Sequence, residues 1–100
     1  MEYELPEKEG YTIYTKSQCG FCKKAKDLLK AEPFTMIDCD EYLIEDKESF
    51  LVFIENLIGK SYRTFPMIFH NCKFLGGYSE TKTYYEKELV KSDAFKNDNF

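Results

Sequence analysis

Histidine is all but missing from this 100-residue chain: His70 stands alone, which leaves a structural zinc site without imidazole ligands to complete it. A surplus of positive charge is missing too. Fourteen basic residues face eighteen acidic ones, and a formal net charge of -4 argues against nucleic acid or an anionic membrane surface as the main partner. No apolar run approaches the length that spans a bilayer. The opening Met1-Glu2-Tyr3-Glu4-Leu5-Pro6-Glu7 is acidic and broken by proline, unlike the basic and then apolar start of a secretory leader. The expected setting is therefore cytoplasmic and reducing, where four cysteines serve as catalytic or free thiols rather than as staples. Internal repeats, low-complexity stretches and linkers are absent. One domain is expected over residues 1–100, its core over about 10–90, between a short charged lead-in and a polar, frayed tail from Asp93.

Apolar material is plentiful. Hydrophobic residues make up 43% of the chain, with nine Phe and eight Tyr, enough to fold unaided. Tyr11-Thr12-Ile13-Tyr14-Thr15 reads as a strand from its β-branched and aromatic content, as does Phe34-Thr35-Met36-Ile37-Asp38. Between them Cys22, Ala25 and Leu29 recur at helical spacing until Pro33, so the order strand, helix, strand implies a parallel pair with a right-handed crossover. Phe50, Phe53, Ile54, Leu57 and Ile58 mark a helix from about Asp46 to Ile58, ended by Gly59, with its aromatic stripe in the core. Met67-Ile68-Phe69-His70 and Lys73-Phe74-Leu75 flank Asn71-Cys72 as a tight antiparallel hairpin, a turn that wants positive φ at both central positions and would expose Cys72. Ser79 is expected to cap a last helix from about Glu80 to Val90, with Tyr85 and Leu89 on one face.

The segment Lys16-Ser17-Gln18-Cys19-Gly20-Phe21-Cys22 joins the first strand to the first helix. A helix opening at Cys19 aims unpaired N–H groups and its positive dipole end at that sulfur, favouring thiolate, and Lys16 adds positive charge nearby. Cys22, one turn further on, is better shielded and placed to attack a mixed disulfide formed at Cys19. The other half of a zinc site is lacking, since Cys39 and Cys72 stand alone. Cys39, between Asp38 and Asp40, has acidic neighbours that disfavour a thiolate and is read as inert.

Three stretches in order resemble the glutaredoxin family: Cys19-Gly20-Phe21-Cys22, Arg63-Thr64-Phe65-Pro66-Met67-Ile68-Phe69, and Gly76-Gly77-Tyr78-Ser79. The resemblance covers roughly residues 10–90. It implies an α/β, thioredoxin-like fold, a four-stranded mixed sheet flanked by three or more helices in the order β-α-β-α-β-β-α. It implies a glutathione-dependent thiol–disulfide oxidoreductase in which Cys19 attacks and Cys22 resolves, with glutathione as co-substrate. Pro66 would form a cis peptide facing the reactive sulfur, leaving the backbone of Phe65 free to pair with an extended peptide. Lys16 would take the glycyl carboxylate, Thr64 and Phe65 would line the middle of the tripeptide, and Phe21 would pack against it. Gly77, Tyr78 and Ser79 would hold the γ-glutamyl end at a helix start. The implied partners are glutathionylated or disulfide-containing proteins, ribonucleotide reductase among them, acting on a monomer.

The sequence departs from the family pattern where Gly20 and Phe21 replace proline and tyrosine, where Phe65 replaces a frequent valine, and where an acidic residue near Ser79 is expected. Two other readings stay open. One is a carrier in which Cys19 of each of two subunits, with two glutathiones, ligates a 2Fe–2S cluster; the other is a thioredoxin-type dithiol donor.

Overall fold

The computed structural model describes residues 2–96, with side-chain surroundings given through residue 91. The chain runs β1 (Tyr11–Thr15), α1 (Gly20–Leu28), β2 (Phe34–Asp38), α2 (Asp40–Ile58), β3 (Met67–His70), β4 (Lys73–Gly76) and α3 (Tyr78–Lys96). The strands form one mixed sheet in the order β2-β1-β3-β4. β1 pairs in parallel with β2, Tyr11 opposite Phe34 through Thr15 opposite Asp38, and antiparallel with β3. Lying inside the sheet, β1 is buried along its whole length.

The two faces of the sheet carry separate cores. On one, Tyr14, Ile37, Met67 and Phe69 pack with Phe50, Leu51 and Ile54 of α2. On the other, Tyr11, Ile13 and Ile68 pack with Ala25 and Leu29 of the first helical segment and Tyr85 of α3. Alternation along the strands sends successive side chains to opposite layers, so the helices must cover both faces.

Both strands predicted before α2 have the expected bounds. The helices differ at their ends. α1 stops at Leu28, short of Pro33, because a turn follows in which the Glu32 N–H donates to the Leu29 carbonyl. The Pro33 carbonyl instead accepts the Tyr11 N–H at 3.1 Å, tying the chain before β2 to the start of β1. α2 begins at Asp40, six residues earlier than expected. At Asp46 the backbone is non-helical (φ -162, ψ 87) and the Asp46 carboxylate accepts the Ser49 N–H at 3.1 Å, so this aspartate caps the expected helix while a shorter one precedes it. Asp40 and Glu41 in that first turn complement its positive end. α3 starts at Tyr78 rather than Glu80 and continues to Lys96, past the expected Val90; of the tail, residues 97–100 lie outside the described residues. Tyr85 is buried as expected, whereas Leu89 is 46% exposed.

The hairpin turn has positive φ at both Asn71 (52) and Cys72 (70), and Cys72 is exposed. Asn71 secures it by exchanging bonds with Gly10: its side-chain oxygen accepts the Gly10 N–H at 2.8 Å, and its own N–H donates to the Gly10 carbonyl at 2.9 Å. The lead-in is more than charged coil. Pro6 is buried, Tyr3 packs edge-on against Tyr42 and Phe50, and the Tyr14 hydroxyl donates to the Glu4 carbonyl at 2.5 Å.

Candidate active site

Where β1 ends, Gln18 takes a left-handed conformation (φ 54) that turns the chain into α1. The turn is held from a distance. The Ser17 N–H donates to Asp40 Oδ1 at 2.8 Å and the Ser17 hydroxyl donates to Asp40 Oδ2, bonds that hold the Asp40 carboxyl below its ordinary range. Cys19 then occupies the N-cap of α1, half-buried, with extended backbone (φ -118, ψ 100) and its Sγ accepting the Cys22 N–H at 3.1 Å. Cys19 and Cys22 are joined as a disulfide, their Cα atoms 5.2 Å apart. Cys22 is 4% exposed. The asymmetry read from the spacing is therefore present: one sulfur stands at the helix mouth, the other behind it.

On the β3 side of Cys19 a cleft of about 370 Å³ is lined by Lys16, Gln18, Cys19, Gly20, Phe21, Arg63, Thr64 and Phe65. A second cleft of about 390 Å³ shares Phe21, Thr64 and Phe65 and continues past Pro66 to Gly77, Tyr78, Ser79 and Glu80. Together they make a groove from the sulfur to the start of α3, lined by Cys19 and by each residue expected to touch glutathione, while Cys22 lies outside it. The Phe65–Pro66 peptide is cis. Phe65 is backed by Phe50 of the α2 core, the rings nearly parallel with centroids 6.2 Å apart. Phe21 remains 55% exposed, with Tyr78 at 5.9 Å and the Lys24 ammonium 5.1 Å from its ring centroid.

Two expectations at the far end are corrected. Ser79 is not a cap, because α3 already begins at Tyr78 and the Gly77 carbonyl accepts the Thr81 N–H at 3.1 Å. An acidic group is not missing either: Glu80 lines the cleft, and its Oε1 accepts the Gly77 N–H at 2.9 Å. Glu80, Arg63, Gln18 and the Asp40 anchor were not singled out in the sequence. Glu80 stands three residues beyond Gly77, a spacing from which a carboxylate can reach back to an amide before a helix. Asp40 offered no comparable signal, 23 residues from Ser17.

Gly77 leaves little room for change. A Cβ there would lie 2.9 Å from the Tyr62 hydroxyl, on a ring packed edge-on against Phe74 at 4.9 Å. Gly77→Ala is expected to destabilise the fold by about 1–3 kcal/mol, the usual range for overpacking. Thermal melting should show a fall of about 4–8 °C per kcal/mol lost; an unchanged Tm would show that Tyr62 yields freely.

The remaining cysteines lie elsewhere. Cys39 is fully buried, and burial first, then the charge of Asp38, pushes its thiol up to about 12, so the acidic neighbours are the lesser reason for its inertness. Among the described residues no three His, Cys, Asp or Glu side chains come together as a metal site. A 2Fe–2S cluster at Cys19 would have to draw its other ligands from outside the chain, and the residues present do not fit one by themselves.

The glutaredoxin family model matches residues 11–75, a span that takes in Cys19, Cys22, the cis Phe65–Pro66 peptide and all but the last turn of the groove. The chain belongs to the glutaredoxin family. Curated relatives include Glutaredoxin-C4 of Arabidopsis thaliana, 39% identical over 83 residues, covering 79% of this chain and 58% of the relative. Glutaredoxin-C8 of Oryza sativa subsp. japonica is 33% identical over 79 residues, covering 74% and 54%. The chain thus spans little more than half the length of these two relatives. Among solved structures, glutaredoxin 1 of Francisella tularensis, complexed with cacodylate, superposes with a TM-score of 0.68 at 25% identity over 80% of this chain and 95% of that one. A buckwheat glutaredoxin–glutathione complex shares the fold, with a TM-score of 0.60 at 21% identity over 81% and 73%. This glutaredoxin therefore has the thioredoxin-like architecture, with its disulfide pair where a dithiol active site belongs.

Proposed function

We propose that this glutaredoxin is a glutathione-dependent dithiol oxidoreductase that reduces glutathione–protein mixed disulfides and protein disulfides. The observation that carries the reading is the placement of a half-exposed Cys19, disulfide-linked to a buried Cys22, at one end of a groove whose other end is the start of α3. The Cys19 thiolate attacks the glutathionyl sulfur of a mixed disulfide; a Cys19–glutathione bond forms and the substrate thiolate leaves, taking a proton from water. A second glutathione thiolate then attacks the same sulfur, releasing glutathione disulfide and restoring Cys19. On a protein disulfide, Cys19 forms the protein-linked intermediate, Cys22 displaces it, and two glutathiones reduce the resulting pair.

In this reading Lys16 meets the glycyl carboxylate, Thr64 and Phe65 pair with the tripeptide backbone beside Pro66, and Phe21 covers it. The free amides of Tyr78 and Ser79 at the mouth of α3 receive the γ-glutamyl carboxylate, with Gly77 allowing close approach. Glu80 supplies a carboxylate for the neighbouring ammonium, the partner that the sequence alone placed in doubt. A reducing compartment suits a chain with two further cysteines left unpaired, Cys39 and Cys72.

Turnover of a glutathionylated peptide, coupled to glutathione reductase, tests the proposal. Cys22→Ser is expected to keep at least about half of that activity, since removing a glutathionyl group needs only Cys19, while losing reduction of protein disulfides. Reduction sustained by thioredoxin reductase, with glutathione inactive, would overturn the assignment.

A further inference from the structure

A third cleft shares Lys16, Gln18, Cys19 and Gly20 with the groove but continues on the other flank of the active-site loop, along Lys23, Lys26 and Met36, which the chemistry above does not use. Of about 550 Å³, it is lined by Cys19, Cys22, Lys16, Lys23, Lys26 and Met36 among others. β1 lies between β2 and β3, so this cleft opens on the β2 side of the reactive sulfur while Phe65 and Pro66 stand on the β3 side. β2 is the outer strand there, and its Met36 is 40% exposed.

Its charge runs against that of the molecule. Residues 16–30 contain five lysines and one aspartate, in a chain of fourteen basic and eighteen acidic residues. The ion pairs among the described residues, Arg63–Glu48, Lys82–Glu86 and Lys91–Glu88, use none of those lysines. A small anion is a poor match for an open surface of this size bordered by an apolar side chain. An extended polypeptide bearing carboxylates suits it better, since Met36 and the lysine stems offer apolar contact and the ammonium groups meet the charges.

We propose that the cleft lined by Lys23, Lys26 and Met36 docks an acidic segment of the disulfide-bearing substrate protein, next to the cysteine that Cys19 attacks. The proposal rests on Cys19 as nucleophile and names the substrate class: proteins whose reactive cysteine is flanked by acidic residues. Glutathione and protein then approach from the two flanks of one loop. The net negative charge of the molecule disfavours acidic partners while this lysine-rich face attracts them, which orients the encounter.

The test needs no glutathione. Two peptides of one sequence, differing only in carrying four glutamates or four lysines beside a cysteine disulfide-bonded to 2-mercaptoethanol, are mixed with the reduced Cys22→Ser protein. The Cys19 thiolate attacks the peptide sulfur, a Cys19–peptide disulfide forms, and 2-mercaptoethanol leaves as the thiolate; mass spectrometry follows the adduct. The acidic peptide should react about tenfold faster than the basic one at low salt, with the ratio shrinking as salt screens it. Adding Lys23→Glu and Lys26→Glu, both exposed, should reverse the preference when each peptide rate is divided by the rate with neutral hydroxyethyl disulfide, a ratio in which any change at the thiolate itself cancels. Equal rates for the two peptides, or a preference that survives the double substitution, would overturn the docking proposal alone. No reaction even with hydroxyethyl disulfide would overturn the assignment of Cys19, and the proposal with it.

Discussion

Cys19→Ser is expected to lower glutathione-coupled turnover by on the order of 10³-fold or more, the scale on which losing a nucleophile acts. The fold should survive the change. Cys19 is an N-cap whose sulfur accepts the Cys22 N–H, and serine is among the best residues for that bond, so α1 keeps its start. What disappears is the ionisable sulfur at the positive end of a helix, and a serine hydroxyl has no thiolate-like form near neutral pH. Cys22 cannot stand in, because it is 4% exposed and lies behind the helix mouth. Turnover within tenfold of the intact protein, at unchanged Tm, would show that a different cysteine carries the chemistry.

Alkaline unfolding is the second large effect. Tyr11, Tyr14 and Cys39 are buried as neutral groups. Burial raises all three, reinforced by the Tyr84 and Glu32 charges at Tyr11, by Cys39 at Tyr14 and by Asp38 at Cys39. A folded pKa above the unfolded one means the stabilisation is whole below the unfolded values, 9.0 for the thiol and 10.0 for the phenols, and drains away as pH climbs above them. Each group then costs up to about 1.4 kcal/mol per pH unit. By about pH 11 the three together remove up to about 5.6 kcal/mol, comparable with the whole stability of a small domain, usually about 5–15 kcal/mol. Tyrosinate absorbance should therefore rise in a step that coincides with loss of circular dichroism, and Tyr11→Phe should move that step to higher pH. A smooth tyrosinate titration with the fold intact would mean that the buried phenols reach solvent without unfolding.

The parts of the fold legible in the sequence are those governed by short-range chemistry. β1 and β2 stand out because β-branched and aromatic residues fill them, and the positive φ values of Asn71 and Cys72 follow from a two-residue hairpin. α2 was half legible: the apolar period is sustained only after Asp46, whereas Tyr42, Leu43 and Ile44 in its first turns are consecutive and too few to show a helical period, although Tyr42 and Leu43 pack on the core. Tyr3 and Pro6 were hidden among glutamates, although Tyr3 is held by Tyr42, Ser49 and Phe50, far along the chain, and Pro6 is buried. The cysteines and groove residues were readable as a motif; the Ser17–Asp40 bonds were not, since they join segments that only the parallel pairing of β1 and β2 brings together. Glu80 stands directly after Ser79, and what the sequence does not show is that its carboxylate folds back to the Gly77 N–H and so faces the groove.

The Cys19–Cys22 bond closes a ring over a sequence separation of three, within the opening turn of a single helix. A ring so small withholds little freedom from the unfolded chain, about 2 kcal/mol against about 4.7 for a hundred-residue loop in the chain-entropy account. Most of the architecture is therefore indifferent to whether the bond is open or closed. The sheet acts as a chassis for the cysteine pair, whose bond can open and close without the molecule being remade each time.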